Sequence, residues 1–359
     1  MIEYLLLMSL AIILFFNPNS GKKKILNIVF ICLAIFLAGF RDMIGGYDVY
    51  IYAEVYESIL RFDNSNLSFE PFFIIYYEIL NFINGDRHFM FFITSLIILG
   101  SYFYFIKKLS VWFYFSLYIF FCKFYLIFFV YLRQGMAISF VLFSFYFLLK
   151  HKKIKAVLLA ITAILFHKSA FIFLPFIFVA NLKLSKIGIF FLVVLLCVFS
   201  FSPLGEVIFS SVGNSLGQVK YVNYAKSSAV LNFFYVFEGF SLLALISHYK
   251  EKFNFNIQYR IIFNGIIVYC LLVILGITNA TLIRLSWYYF MFICLGLPII
   301  YFFIHDIKLR KTFKIVIFVY YLFLFFRLLF LFDSGDFMPY KNIFQDFDRN
   351  GIWEFREYR

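Results

Sequence analysis

Three adjacent polar residues interrupt an apolar stretch near the middle of the chain. His167, Lys168 and Ser169 lie within AILFHKSAFIFLP, whose other residues are typical of a membrane interior. Polar and ionisable side chains are costly there, so each of the three is a candidate functional residue. His167 is the first candidate for a general base, because imidazole exchanges a proton near neutral pH. The competing interpretation makes His167 a hydrogen-bonded core residue and turns Lys168 towards lipid headgroups.

Other ionisable residues lie at the borders of apolar segments. Asp48 and Glu70 are the alternative candidates for the base, although Glu70 could instead cap the helix that follows it. Arginines suit an anionic ligand, because the guanidinium group pairs bidentately with phosphate oxygens and keeps its charge when partly buried. The candidates are Arg41, Arg133 with its neighbour Gln134, Arg284 and Arg327. Alternatively, these arginines snorkel to the interface or pair with an acid for structural reasons.

The composition predicts a polytopic membrane protein. Of 359 residues, 64% are hydrophobic and only 14% are charged, and apolar runs follow one another along the whole sequence. The formal charge of +13 is explained by basic loops on the cytoplasmic side, so no nucleic-acid partner is predicted. The first apolar segment has no basic region before it and no cleavage site, which predicts a retained helix.

No motif in the sequence indicates a cofactor or a metal site. The five cysteines are odd in number, show no CxxC spacing and all fall inside apolar segments, which is typical of packing residues. The sequence has no Walker loop, no GxGxxG and no HExxH. ATP-driven transport and zinc hydrolysis therefore have no support.

Apolar segments of 15 to 23 residues, close to the roughly 20 that a span needs, predict about ten full transmembrane helices. We place them at 2–16, 25–40, 88–106, 111–130, 132–149, 187–203, 233–249, 261–278, 282–304 and 312–332. Residues 71–83 are too short to cross and are predicted to be re-entrant. Residues 154–181 are predicted to form a broken helical hairpin, interrupted at 167–169 and again at Pro175. With these two exceptions, all basic clusters fall on one side, as the positive-inside tendency requires.

The predicted fold class is therefore an all-α polytopic integral membrane protein. Residues 1–332 are expected to form a single transmembrane domain with outer loops at 41–70 and 203–232, and residues 333–359 a short extracytoplasmic tail. Apolar residues recur with helical spacing in 47–62, which predicts an interfacial amphipathic helix. In this topology the candidate residues converge on the outer leaflet, where several arginines suit a polyprenyl-pyrophosphate lipid.

Four ordered stretches resemble the EpsG-like branch of the Wzy-type polysaccharide polymerases. They are FRDMIGGYDVYIYAEVYE, FEPFF, YLRQGMAISF and LFHKSAFIFLP. TLIRLSWYYF and the tail stretch MPYKNIF fit less specifically, and in GGYD the family more often has a small polar residue before the aspartate. The resemblance covers nearly the whole chain. It implies polymerisation of undecaprenyl-pyrophosphate-linked oligosaccharide repeats at the outer face of the bacterial inner membrane, as for O-antigen, capsule or exopolysaccharide.

The resemblance also implies roles for the candidate residues. A base would be chosen from His167, Asp48 and Glu70. The pyrophosphate and the sugars would be bound by Arg41, Arg133, Gln134, Lys168, Ser169, Arg284, Arg327 and Tyr340. Donor and acceptor would both be lipid-linked, a flippase and a chain-length regulator are candidate partners, and neither a cofactor nor a metal is expected.

Three rival functions stay open. A glycan ligase would share the lipid-linked donor and differ in its acceptor. A flippase or transporter would keep its charged residues near the middle of the membrane, whereas these gather at one face. A membrane acyltransferase could use the histidine but would not explain several arginines.

Overall fold

The computed structural model describes residues 1–16, 23–60, 69–202, 233–277, 280–331 and 337–344. The predicted outer loop at 203–232 and most of the predicted tail after 332 lie outside these residues. Within them every regular element is a helix, and the one isolated antiparallel bridge pairs Arg41 with Asn342.

Five of the helical segments are long and apolar enough to cross a membrane. They are Arg87–Leu109, Leu132–Leu149, Ile257–Leu275, Leu282–Phe303 and Ile307–Leu331. Seven further apolar helices of 10 to 17 residues are shorter than a typical span. The chain is therefore an α-helical membrane protein, and the predicted count of ten crossings stays a prediction.

The chain divides into two compact units. The first contains Met1–Phe147, Ile154–Phe171 and Ile304–Arg359, and the second contains Leu148–Lys153 and Ile172–Phe303. The helices that lie wholly or mainly in the first unit are α1 (Ile2–Phe16), α2 (Lys23–Gly39), α3 (Tyr47–Ser58), α4 (Pro71–Ile83), α5 (Arg87–Leu109), α6 (Phe113–Phe124), α7 (Ile127–Val130), α8 (Leu132–Leu149) and α9 (Lys153–Phe166), with α17 (Ile307–Leu331) after the second unit. The division into two units does not test the prediction that residues 1–332 form a single transmembrane domain.

In the first unit α1 packs against α2 and α6, α2 against α5, and α17 against α6. Most predicted segments agree with these helices within a few residues, and 71–83 coincides with α4. The predicted crossing at 111–130 is divided into α6 and α7 by a turn at Tyr125 and Leu126. No glycine or proline marks that turn in the sequence.

The predicted break near residue 167 is confirmed. Helix α9 ends at Phe166, and after His167 the chain continues as a 3₁₀ helix from Lys168 to Phe173. Lys168 and Ser169 are thus helical, and His167 alone interrupts the two helices. Near the predicted second break, at Pro175, the helix changes type without a gap, because the 3₁₀ helix ends at Phe173 and an α-helix follows directly. Pro175 lies in the first turn of α10 (Leu174–Val179), where its missing N–H needs no partner.

The second unit is built around one helix. Its helices are α10, α11 (Lys186–Phe201), α12 (Phe233–His248), α13 (Lys250–Asn254), α14 (Ile257–Leu275), α15 (Ala280–Ser286) and α16 (Phe290–Phe303). The central helix α14 contacts α11, α12, α13, α15 and α16. A carboxylate that sequence reasoning did not single out, Glu238, is buried here and accepts a hydrogen bond from the Tyr269 hydroxyl at 2.6 Å.

Candidate functional site

Glu70 is the centre of a polar cluster in the first unit. It occupies the N-cap position of α4, with Pro71 in the first turn, but its side chain makes no cap hydrogen bond. Instead, Oε1 accepts from His167 Nδ1 at 2.9 Å and from the Lys168 backbone N–H at 3.2 Å. Oε2 accepts from Arg133 Nη1 at 3.0 Å. One buried carboxylate therefore joins the break after α9 to the first turn of α8.

The surroundings of Glu70 keep its carboxyl group ionised. Burial by itself raises the pKa of the carboxyl, but His167, Arg133 and the Lys168 N–H outweigh it and lower the pKa to about 2. Glu70 is thus an ionised carboxylate at neutral pH and can only accept hydrogen bonds. His167 Nδ1 must then carry the proton, which leaves the lone pair of a neutral imidazole on Nε2.

Arg133 lies on a platform of two aromatic rings. Its guanidinium carbon is 4.4 Å from the centre of the Phe69 ring and 5.7 Å from that of Tyr52, and Nε donates to the Tyr52 hydroxyl at 3.4 Å. Cation–π contacts of this kind contribute about 0.5 to 2 kcal/mol, depending on desolvation. Sequence reasoning missed both aromatic residues, although Phe69 directly precedes Glu70 in FEPFF.

Asp48 lies on the helix that carries Tyr52. It is in the first turn of α3, four residues before Tyr52 and therefore on the same face. The chain enters α3 through Gly45 and Gly46, which have φ angles of +125° and +72° that glycine adopts without strain. Half-buried Asp48 is thereby held one helical turn from the tyrosine that contacts Arg133.

Helix α3 itself is fixed to its neighbours. The apolar face predicted for 47–62 is buried at Val49, Tyr52 and Tyr56, and α3 contacts α4, α5 and α7. Near its end, Glu57 accepts two hydrogen bonds at 2.5 Å from Arg87. The predicted helix is confirmed, whereas its location at the membrane interface stays a prediction. Arg61 and the rest of 61–68 lie outside the described residues.

Arg41 is fully buried and surrounded by protein acceptors. Its guanidinium donates to the carbonyl oxygens of Ala38, Ile44 and Phe129 and to Ser95 Oγ. The guanidinium carbon also lies 4.6 Å from the centre of the Phe91 ring. This geometry ties the end of α2 to α5 and to the end of α7. The expectation that Arg41 binds substrate stays a prediction.

Tyr340 holds the tail against the same end of the unit. Its hydroxyl donates to the Leu37 carbonyl at 3.0 Å, and its ring meets Tyr4 edge to face. The Asp42 N–H donates to the Lys341 carbonyl at 3.0 Å, beside the bridge between Arg41 and Asn342. The structure thus gives Tyr340 a packing contact, and its predicted contact with substrate stays a prediction.

The remaining candidates are distributed over both units. Gln134 is buried next to Arg133 in α8, the Lys168 side chain is exposed, and Ser169 is half-buried. Arg327 lies in α17 of the first unit, and Arg284 lies in α15 of the second. The structure brings Glu70, Arg133 and His167 together. The convergence of Arg284 and Arg327 on them stays a prediction.

The chain belongs to the EpsG family, whose model matches residues 4–342 and so nearly the whole sequence. Family and fold together define a helical membrane protein of the polysaccharide-polymerase type. No curated protein and no solved structure matches the chain. The cluster of Glu70, Arg133 and His167 lies inside the matched region.

Proposed function

We propose that this protein is a Wzy-type glycosyltransferase that polymerises undecaprenyl-pyrophosphate-linked oligosaccharide repeats at the outer face of the bacterial inner membrane. The observation that carries the proposal is the Glu70 carboxylate, which holds an imidazole and a guanidinium group at 2.9 and 3.0 Å. Family membership supplies the class of reaction, and the cluster supplies side chains suited to its proton transfer and its leaving group.

His167 acts as the general base in this proposal. With Nδ1–H bound to Glu70, Nε2 accepts the proton of the acceptor sugar hydroxyl as its oxygen attacks the anomeric carbon of the donor. The carboxylate stabilises the imidazolium that forms and keeps the ring oriented. Glu70 is then a positioning residue, because a carboxyl whose pKa is about 2 is a weak base at neutral pH. Asp48 is the alternative base.

Arg133 stabilises the leaving group. As the new carbon–oxygen bond forms, the bond from the anomeric carbon to the pyrophosphate oxygen breaks, and its electron pair leaves with the pyrophosphate. The charge that develops there is stabilised most in the transition state, which is what accelerates the reaction. Within the described residues, Arg133 Nη2 has no hydrogen-bond partner, so it can donate to phosphate while Nη1 stays on Glu70. Lys168, Ser169, Arg284 and Arg327 are further candidates for this contact.

Three of the candidates, Arg41, Gln134 and Tyr340, are buried. They hold the helices and the tail that carry the site in place. Arg41 and Tyr340 connect α2 and the tail to the turn that precedes α3 and Asp48. Gln134 lies in the first turn of α8 beside Arg133. We therefore propose a positioning role for these three residues in place of direct contact with the pyrophosphate.

The location of the site is tested by labelling single cysteines in intact spheroplasts with a membrane-impermeant thiol reagent. In the proposed topology, cysteines at Ser110 and Lys153 are protected, whereas cysteines at Asp63 and Ser334 react. The last two positions lie outside the described residues and serve as sequence markers of the outer side. Labelling at Ser110 would mean that residues 71–83 cross the membrane, which contradicts the outer location.

The activity is tested by a gel of surface glycan from a deletion strain. The strain without this chain should show only one-repeat bands, and the wild-type chain should restore the ladder. Arg133→Lys should not restore it, because lysine keeps the charge but loses the planar fork that contacts Glu70 and phosphate. Loss of all surface glycan in the deletion strain would contradict polymerisation and point to a flippase or a ligase.

A further inference from the structure

Helix α4 has two apolar faces, and protein covers only one of them. Phe73, Tyr77 and Leu80 are buried in the first unit. The opposite face is exposed and apolar, and it consists of Phe72, Ile75, Ile79, Phe82 and Ile83. At 100° per residue these five side chains fall within an arc of about 100°, which makes a continuous stripe along the helix.

The stripe begins at the candidate site. Phe72 is two residues from Glu70, and its ring packs edge to face against Phe166 at 6.0 Å between centroids. Phe166 directly precedes His167, whose imidazole lies on the Glu70 carboxylate. The polar cluster and the apolar stripe are therefore continuous at the first turn of α4.

The length of α4 fits a ligand that is polar at one end and apolar along the rest. Its 13 residues extend about 20 Å, against about 30 Å of hydrocarbon in a bilayer. The exposed fraction of the stripe rises along the helix, from 36% at Phe72 to 85% at Phe82. An apolar chain attached to a phosphate at Arg133 could follow this stripe away from the site.

We propose that the exposed face of α4 binds the isoprenoid chain of the substrate lipid. This inference rests on the proposed function, which places the pyrophosphate of that lipid at Arg133, and adds the subsite for its tail. Binding brings the apolar side chains of α4 and the isoprenoid chain into contact with each other. The pyrophosphate bound at Arg133 determines which lipid occupies the stripe. Bulk membrane lipid on the stripe is the competing outcome.

Another helix offers a matched control. Helix α9 has its own exposed apolar stripe at Ile154, Leu158 and Ile161, of similar chemistry. That stripe starts beside Lys153 and Lys155, at the end of α9 remote from His167. Bulk lipid should cover it, and the substrate lipid should not prefer it.

The test is photocrosslinking with the full chain in nanodiscs that contain phosphatidylglycerol. A benzophenone amino acid replaces Ile79 in one variant, Phe82 in a second and Leu158 in a third, and radiolabelled undecaprenyl pyrophosphate is the probe. We expect labelling at positions 79 and 82, lowered about tenfold by a tenfold excess of unlabelled undecaprenyl pyrophosphate through mass action. Added phosphatidylglycerol should not lower it, and Leu158 should show no competable labelling. Two positions on the stripe guard against a variant that fails to insert.

The possible results separate this inference from the proposed function. Equal, uncompeted labelling at positions 79, 82 and 158, together with a normal glycan ladder from the wild-type chain, would overturn the tail subsite and leave the polymerase intact. Competable labelling at 79 and 82 that Arg133→Gln lowers supports the subsite. Competable labelling at 79 and 82, together with a wild-type chain that does not restore the glycan ladder in the deletion strain, would support lipid binding and overturn polymerisation.

Discussion

Replacing Glu70 by glutamine tests whether its carboxylate connects Arg133 and His167 as the structure describes. Glutamine keeps the size of the side chain but removes the charge that pairs with Arg133. Breaking this pair lowers the free energy of unfolding by an amount between two limits. Losing an exposed ion pair costs up to about 1 kcal/mol, and breaking a buried pair costs roughly 3 to 5 kcal/mol. The Glu70 side chain is 6% exposed, whereas Arg133 and His167 keep 20% and 26% of theirs. We therefore expect the free energy of unfolding to fall by about 2 to 3 kcal/mol.

Glu70→Gln should also lower activity, because His167 loses the carboxylate that orients Nδ1–H and stabilises the imidazolium. A fall in polymerisation of about 10²-fold or more is expected from a disabled general base. The assays are thermal unfolding of the purified protein in detergent and the glycan ladder in the deletion strain. Glu54→Gln is the matched control, since Glu54 is exposed on α3, and it should leave both readouts unchanged.

The double variant separates the pair from a general loss of packing. Arg133→Gln alone leaves the Glu70 carboxylate without its arginine, and Glu70→Gln removes that charge again. Residues in contact typically show coupling of about 0.5 to 3 kcal/mol, so the double variant should be more stable than the sum of the single losses predicts. Polymerisation by the double variant should stay at least about 10²-fold below that of the wild type. A normal ladder and normal unfolding temperature for Glu70→Gln, with additive losses in the double variant, would refute the ion-paired cluster.

Three further predictions follow from particular contacts. Arg41→Lys should lower the yield of inserted protein, because the three N–H groups of an ammonium cannot serve the four separate acceptors that surround the buried guanidinium; a normal yield would contradict the structural role of Arg41. Gly45→Ala should destabilise the protein by about 1 to 3 kcal/mol, since Gly45 has a φ of +125° and an added Cβ would lie 2.6 Å from the Val49 side chain. Gly85→Ala, whose nearest contact would be 3.7 Å, is the control in the same unfolding assay. The pKa of Glu70 is lowered to about 2, so its stabilisation is complete above pH about 4.5 and is lost as the pH falls towards 2. The difference in unfolding temperature between wild type and Glu70→Gln should therefore shrink as the pH falls from about 4.5 towards 2.

Hydrophobic patterning predicted most helices well, because lipid-facing and buried positions are both apolar and the ends of the segments are polar. Residues 71–83 and 132–149 agree with α4 and α8, and the cost of a polar residue in an apolar segment correctly marked the break at His167. The turn at Tyr125 was not predicted, since no glycine or proline marks it and its neighbours are apolar and aromatic apart from Lys123 in the last turn of α6.

The partners within the site depend on tertiary contacts that no local pattern contains. Arg41 resembles any arginine after a membrane helix until Ser95 and Phe129, 54 and 88 residues away, are found to supply its acceptors. Glu70 has the position of a cap, yet its carboxylate turns to residues 63 and 97 positions away. Sequence reasoning could not single out Tyr52 and Phe69, because the chain contains 27 tyrosines and 58 phenylalanines.

The most direct test of the central claim is polymerisation by the purified protein in liposomes with a lipid-linked repeat unit. Wild type should lengthen the glycan and release undecaprenyl pyrophosphate. His167→Gln, which can form a hydrogen bond but cannot take up the proton, should be about 10² to 10⁴ times slower while it unfolds at a similar temperature. Polymer of full length at the wild-type rate from His167→Gln would contradict the assignment of His167 as the base and transfer that role to Asp48.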